Sequence, residues 1–205
     1  SSYEINIMKI ILILIVILIL GCRSSPEVSF DNLTKAFISW YFKYQPVESS
    51  RYNLSDDFVK FNLYESSSRD EYHADITRFI IELSQIDATK ISREDRIDYN
   101  MLYSKLESMK HLMEHIKPWE WDPLWIIDKI HNGIYILSER DGLKMDVRIE
   151  SVQSLLKVIP KILDQSKTSM IGYSELHITY AIEQIEKLII LLQQLPLKLN
   201  SDNIT

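Results

Sequence analysis

The sequence predicts an all-α protein, and three observations carry that prediction. Apolar residues from Phe30 onward recur at three- and four-residue spacing, the period of one helix face. No segment sustains the apolar–polar alternation of a half-buried strand. Only four glycines occur in 205 residues, too few for the turns of hairpins, sandwiches or phosphate loops. With 46% hydrophobic and 25% charged residues, the composition is that of a globular chain long enough to bury a core.

The first element is a leader. Met8-Lys9 supplies a start and a positive charge, Ile10–Leu20 is an unbroken apolar run, and Gly21-Cys22 follows directly. This is the layout of an export signal, and Ile19-Leu20-Gly21-Cys22 resembles the lipobox read by lipoprotein signal peptidase. A thiol is needed to form the thioether with diacylglycerol, and a small residue before it lets the peptidase reach the backbone. A plain membrane-spanning anchor fits less well, because the apolar run would cover only about 16 Å as helix against roughly 30 Å of hydrocarbon. Residues 1–21 are therefore expected to be the signal peptide, with 8–21 its true leader, and Cys22 the lipidation site. Each acyl CH₂ buried in the bilayer contributes about 0.8 kcal/mol, so two or three chains on Cys22 give stable anchoring. Cys22 is the single cysteine, which excludes an intramolecular disulfide. Residues 22–29, with Ser24, Ser25 and Pro26, read as a lipidated tether. Ser1–Ile7 precede the start and stand outside the fold argument.

Residues 30–205 read as one helical domain of about six helices, an irregular array or bundle. Leu33, Phe37, Trp40, Tyr41 and Tyr44 form the first stripe, closed by Pro46. Val47–Ser68 is polar and irregular, with a short turn expected around Phe58–Phe61. A second stripe runs Tyr72, Ile76, Phe79, Ile80, Leu83, Ile86. Ser92 is placed to cap the longest helix, with an acidic residue at its third helical position. That helix turns Leu102, Leu106, Met109, Met113 and Ile116 inward and is stopped by Pro118. Pro123 suits the first turn of the next helix, which runs to about Glu139, and Asp141-Gly142 makes a turn. Ile149, Val152, Leu156, Ile159 and Leu163 mark the fifth helix, in which Pro160 is expected to produce a kink. Gly172 and Ser174 mark a break. Ile178, Ile182, Ile185, Ile189 and Leu192 mark the last helix, up to Pro196.

The formal net charge of −6 is unchanged in the mature part, because the leader removes one acid (Glu4) and one base (Lys9). A mildly acidic body with no Lys/Arg cluster is not a nucleic-acid binder and cannot hold anionic lipid by charge. Membrane attachment has to come from Cys22.

Three groups of residues could carry chemistry. His111-Leu112-Met113-Glu114-His115 fits the H-x-x-E-H pattern of inverted zinc peptidases, in which two histidines four apart bind zinc and the glutamate acts as base. A helical projection puts Ser104, Ser108, His111 and His115 together, opposite the Leu106/Met109/Met113 stripe, so the histidines are expected to face solvent. Glu175, Glu183 and Glu186 are all open as a third ligand. The expectation is a polar face with no metal site. Pro118-Trp119-Glu120-Trp121-Asp122-Pro123-Leu124-Trp125 could form a stacking platform for sugar or peptide, or a rigid interhelical corner; large aromatics are usually core, which favours the corner. Glu94, Asp95 and Asp98, interleaved with Arg93 and Arg96, could be acid/base groups, but their spacing equally makes helix-start charges and local ion pairs. Ser92 lacks a nearby His–Asp arrangement, and His73, His131 and His177 read as isolated. The expected catalytic, metal and cofactor-binding residues are none.

Phe37–Pro46 (FISWYFKYQP), Ser92–Leu106 (SREDRIDYNMLYSKL), Pro118–Trp125 (PWEWDPLW) and the Arg148–Ala181 region, with Ile159-Pro160 and Ala181-Ile182-Glu183-Gln184, resemble in order and spacing the N-terminal portion of the bacterial family of domain of unknown function 885. The likeness covers about residues 30 to 196; Arg96-Ile97-Asp98-Tyr99 and Asp122-Pro123 weigh most. The resemblance implies a helical relative of gluzincin-like zinc metallopeptidases, often exported or lipid-anchored. The family's His-Glu-x-x-His lies downstream of the matched region and is absent from these 205 residues. No catalytic residue carries over, and His111 and His115 fall in the wrong part of the pattern. Zinc and peptide substrates are expected for the complete family domain. The resulting expectation is a lipoprotein of the bacterial cell envelope carrying the N-terminal helical segment of a metallopeptidase-like protein, catalytically incomplete as given. The alternative is a stand-alone envelope-anchored binding or scaffold protein.

Overall fold

The computed structural model of the chain describes residues 25–45, 48–49, 52, 66–139 and 144–201. Cys22, Pro46, Phe58–Phe61 and the Asp141-Gly142 turn lie outside the described residues. Among those described, six α-helices and no strand occur, as expected from the spacing. They are α1 (Pro26–Tyr44), α2 (Ser66–Ser84), α3 (Arg93–His111), α4 (Pro123–Glu139), α5 (Met145–Ser169) and α6 (Glu175–Ser201). None is long and apolar enough to cross a membrane.

The helices pack around two clusters. α1, α2 and α3 enclose the first, built from the stripes the spacing marks: Phe30, Leu33, Phe37, Trp40 and Tyr44 meet Tyr72, Ile76, Phe79 and Leu83, with Leu102, Leu106, Met109 and Met113 closing the third side. It is aromatic-rich. Trp40 stacks on Tyr72 with centroids 4.9 Å apart, and Phe37 meets Phe79 edge-on at 5.6 Å. The Trp40 indole N–H donates to Asp75 at 2.7 Å, so burying that ring leaves no orphan donor. The second cluster joins α4, α5 and α6 through Ile126, Ile130, Ile134, Leu137, Val152, Leu155, Ile162, Leu188, Leu191 and Leu195.

Local chemistry sets the helix starts. Ser92 caps α3, its hydroxyl accepting from the Asp95 backbone N–H at 3.0 Å and donating to the Asp95 carboxylate at 2.8 Å. Ser25 caps α1 in the same way, accepting from Val28 N–H at 3.3 Å, and Pro26 sits at the first helical position. This corrects the expected tether of residues 22–29: its last four residues are helical, because Ser25-Pro26 is a helix start as much as a linker.

Four further expectations are corrected. Ile116 is exposed, because the third helix does not continue as α-helix to Pro118. Leu163 on α5 is also exposed; Val152 of the predicted stripe is buried together with Leu155 and Ile162, while Leu156 and Ile159 pack half-buried against the same cluster. On α6 the buried residues are Ala181, Leu188, Leu191 and Leu195, while Ile182, Ile185 and Ile189 face outward. Finally, α6 does not end at Pro196 but runs through it to Ser201; Pro160 lies inside α5, within the helix where the sequence places it.

Candidate functional site

The tryptophan-rich stretch is where the two clusters meet, and its backbone is unusual at every step. After His111 the helix widens into one π-helical turn, Leu112–Ile116, closed by the Lys117 N–H donating to Leu112 C=O at 2.9 Å. Widened turns of this kind concentrate at functional sites. Lys117 then adopts left-handed backbone, φ 45° and ψ 59°, a conformation that costs a residue with a Cβ about 1 kcal/mol or more. Pro118 forces the new direction and opens a short 3₁₀ turn, Pro118–Glu120.

The corner is tied on every side. The Trp121 indole N–H donates to Ile116 C=O at 2.7 Å, satisfying a carbonyl that the helix end would otherwise leave open. Asp122 caps α4, one carboxylate oxygen accepting from Leu124 N–H at 3.0 Å and from the His177 ring at 2.7 Å. The Glu120 carbonyl accepts from both Ile171 N–H (2.9 Å) and Gly172 N–H (3.0 Å), fastening the α5–α6 link to the same turn. Trp119 packs on the first cluster beneath the Arg69 guanidinium, 5.1 Å from its ring. Trp125 touches both clusters and meets Trp119 edge-on at 6.2 Å. The stretch is a corner rather than an open stacking platform: Trp119 and Trp125 are half-buried against the clusters, and Trp121 is half-buried with its ring 5.0 Å from that of His177.

Beside the corner lies a cleft of about 280 Å³, lined by Ser66, Arg69, Asp70, His73, Met113, Glu114, Lys117, Trp119 and Glu120. Packing of α2 against the widened turn brings His73 Nε2 to 2.8 Å from Glu114 Oε1. Hydrogen bonding from His73 holds the Glu114 carboxyl below the usual carboxylate range; Lys110, at 4.0 Å, His73 and His115 add attraction, and partial desolvation opposes them. Lys117 lies 3.8 Å from Glu120. The charges in the cleft are mixed in sign and engaged with one another.

His73 and His177, which read as isolated in sequence, are therefore both paired, with partners 41 and 55 residues away. No local spacing signals such pairs. His131 stacks flat over Tyr135 on α4, at 6.5 Å. His111 and His115 stand on the exposed face with Ser104 and Ser108, ring centroids 4.9 Å apart. Among the described residues no three His, Cys, Asp or Glu side chains form a group that could hold a metal, so none of Glu175, Glu183 and Glu186 joins the pair. Arg93, Glu94, Arg96 and Asp98 are exposed around the start of α3, and Asp95 is engaged by the Ser92 cap.

No family model matches the chain, and no curated protein sequence matches it. Among solved structures, the chain is similar to a protein from Shewanella oneidensis described as "a putative lipoprotein of unknown function". The TM-score is 0.72 at 19% identity, over 80% of this chain and 31% of that one. The likeness establishes a shared helical fold, and this chain spans about a third of the length of the solved protein.

Proposed function

We propose that this chain is an exported lipoprotein, held on a membrane of the bacterial cell envelope through lipid on Cys22, and that its helices act as the non-catalytic N-terminal part of a larger helical fold. What carries the reading is an agreement between two independent features. The leader ends in Leu20-Gly21-Cys22, and the helices share the fold of about a third of a longer protein itself described as a lipoprotein. Cleavage before Cys22 leaves a thioether-linked lipid at the start of the mature chain, only three residues from the Ser25 cap of α1. The body therefore sits close to the bilayer surface.

The relation to gluzincin-like metallopeptidases rests on the residues that resemble the domain of unknown function 885 family. In this reading zinc and peptide substrates belong to the complete fold. The described residues do not group into a catalytic zinc site. Glu114, the one candidate base, is hydrogen-bonded by His73, while His111 and His115 lie exposed with no third ligand grouped with them. The corner and its cleft serve to lock the two clusters together.

Metabolic labelling with radioactive palmitate tests the anchor. Label is expected on the wild-type chain in the membrane fraction and is lost in Cys22→Ser, with uncleaved precursor accumulating; an unlabelled wild-type chain overturns the reading. Incubating the protein with Zn²⁺ and a peptide mixture tests the rest. Metal-dependent cleavage that disappears in Glu114→Gln would show a reaction centre on this chain and refute the non-catalytic assignment.

A further inference from the structure

Two histidines flank the point where α3 widens. His111 is the last residue of α3, and His115 lies within the π-helical turn Leu112–Ile116. On a regular α-helix, at 3.6 residues per turn, four residues overshoot one turn by about 40°. A π-helical turn holds more residues, which removes that overshoot and brings His115 back over His111. The ring centroids stand 4.9 Å apart, with the planes tilted by 54°. Two imidazoles that bind one ion at about 2.0–2.1 Å per nitrogen place their centroids roughly 4.5–5.2 Å apart, for angles at the ion between about 90° and 110°. The observed separation falls inside that range, so the pair needs no change of backbone to chelate.

We propose that His111 and His115 form a binding site for a divalent transition-metal ion, Cu²⁺ ahead of Zn²⁺, on the outer face of the corner. Imidazole nitrogens select such ions over Mg²⁺ and Ca²⁺, which take oxygen ligands, and Cu²⁺ binds tightest in the divalent series. Both rings are exposed, His115 with 64% of its side chain open to solvent, so an ion reaches them without any opening of the fold. One Glu114 oxygen lies 3.9 Å from His115 Nε2. The Glu114 carboxyl, held below the usual carboxylate range, puts negative charge beside the ion, and Lys110, 4.0 Å from its other oxygen, opposes it. Ser108 on the same face is turned back to the Ser104 carbonyl at 2.8 Å. Among the described residues no third ligand is grouped with the pair, so water completes the coordination. The site binds and does not catalyse, because Glu114 is engaged by His73. One ligand stands on each side of the junction, so the ion also fixes the widened turn and stabilises the corner. The site is independent of lipid on Cys22.

The full chain, purified in detergent without a histidine tag, is titrated with CuCl₂ alone and with ZnCl₂ alone. Wild type is expected to take up one Cu²⁺ per chain, with the electron paramagnetic resonance spectrum of nitrogen coordination, and to rise in Tm as Zn²⁺ is added. His111→Ala and His115→Ala should each weaken binding about tenfold or more and abolish the rise in Tm. His131→Ala, which removes a ring stacked on Tyr135, should leave both responses unchanged. Substoichiometric Cu²⁺ should broaden the ring NMR signals of His111 and His115 before those of His73, His131 and His177. Equal affinity in wild type and both variants means an adventitious ion only and overturns the site. So does equal broadening of all five histidines. Displacement of Zn²⁺ by an equal concentration of Mg²⁺ also refutes a nitrogen site.

Discussion

The tie between Asp122 and His177 is the contact through which the corner holds α6, and its removal has a magnitude that the structure sets. Asp122→Ala deletes two interactions at once. The first is the cap on α4, where loss of a side-chain acceptor typically costs about 1 kcal/mol. The second is the 2.7 Å contact to His177, between side chains 31% and 16% exposed for His177 and Asp122, for which about 0.5–1.5 kcal/mol is the usual net value. The expected total is about 1.5–2.5 kcal/mol, or a fall in Tm of roughly 3–10 °C for a chain of this size. His177→Ala should lose only the second part. Asp122→Asn keeps an oxygen for both donors and should cost least. Urea denaturation of wild type, the two single variants and the double variant gives the coupling directly, expected at about 0.5–1.5 kcal/mol. Additive single losses, with no coupling beyond error, would refute the claim that one carboxylate serves both α4 and α6.

Two other perturbations probe the fold. Lys117→Gly removes the left-handed strain at φ 45° and should stabilise the protein by about 0.5–1 kcal/mol despite glycine's greater freedom when unfolded, read as a higher urea midpoint. Burial, reinforced by the nearby Glu71, pushes the Tyr44 hydroxyl up to about 12 from its ordinary 10. The folded state thus favours the neutral phenol. Its contribution is complete below pH 10 and is lost as pH rises towards 12. Tyr44→Phe should flatten the fall in stability across that window in alkaline denaturation curves.

The sequence by itself determined the helical class, the three stripes of α1 to α3, the Ser92 cap and the place of the corner. Each of these is a local property: the spacing of apolar residues, a hydroxyl three residues before an acidic turn, a proline where a helix must end. The widened turn before Lys117 was not legible, because Leu112–Ile116 reads as ordinary helix until Pro118 and Trp121 impose the bend. Tertiary structure also decided which of two apolar stripes on α6 became core. Both have helical period, and only the position of α4 selects Leu188, Leu191 and Leu195 over the isoleucines. The pairings of His73 with Glu114 and of His177 with Asp122 are decided in the same way. A hydrogen bond between residues 41 or 55 apart depends on how helices cross, and no window of sequence contains that information.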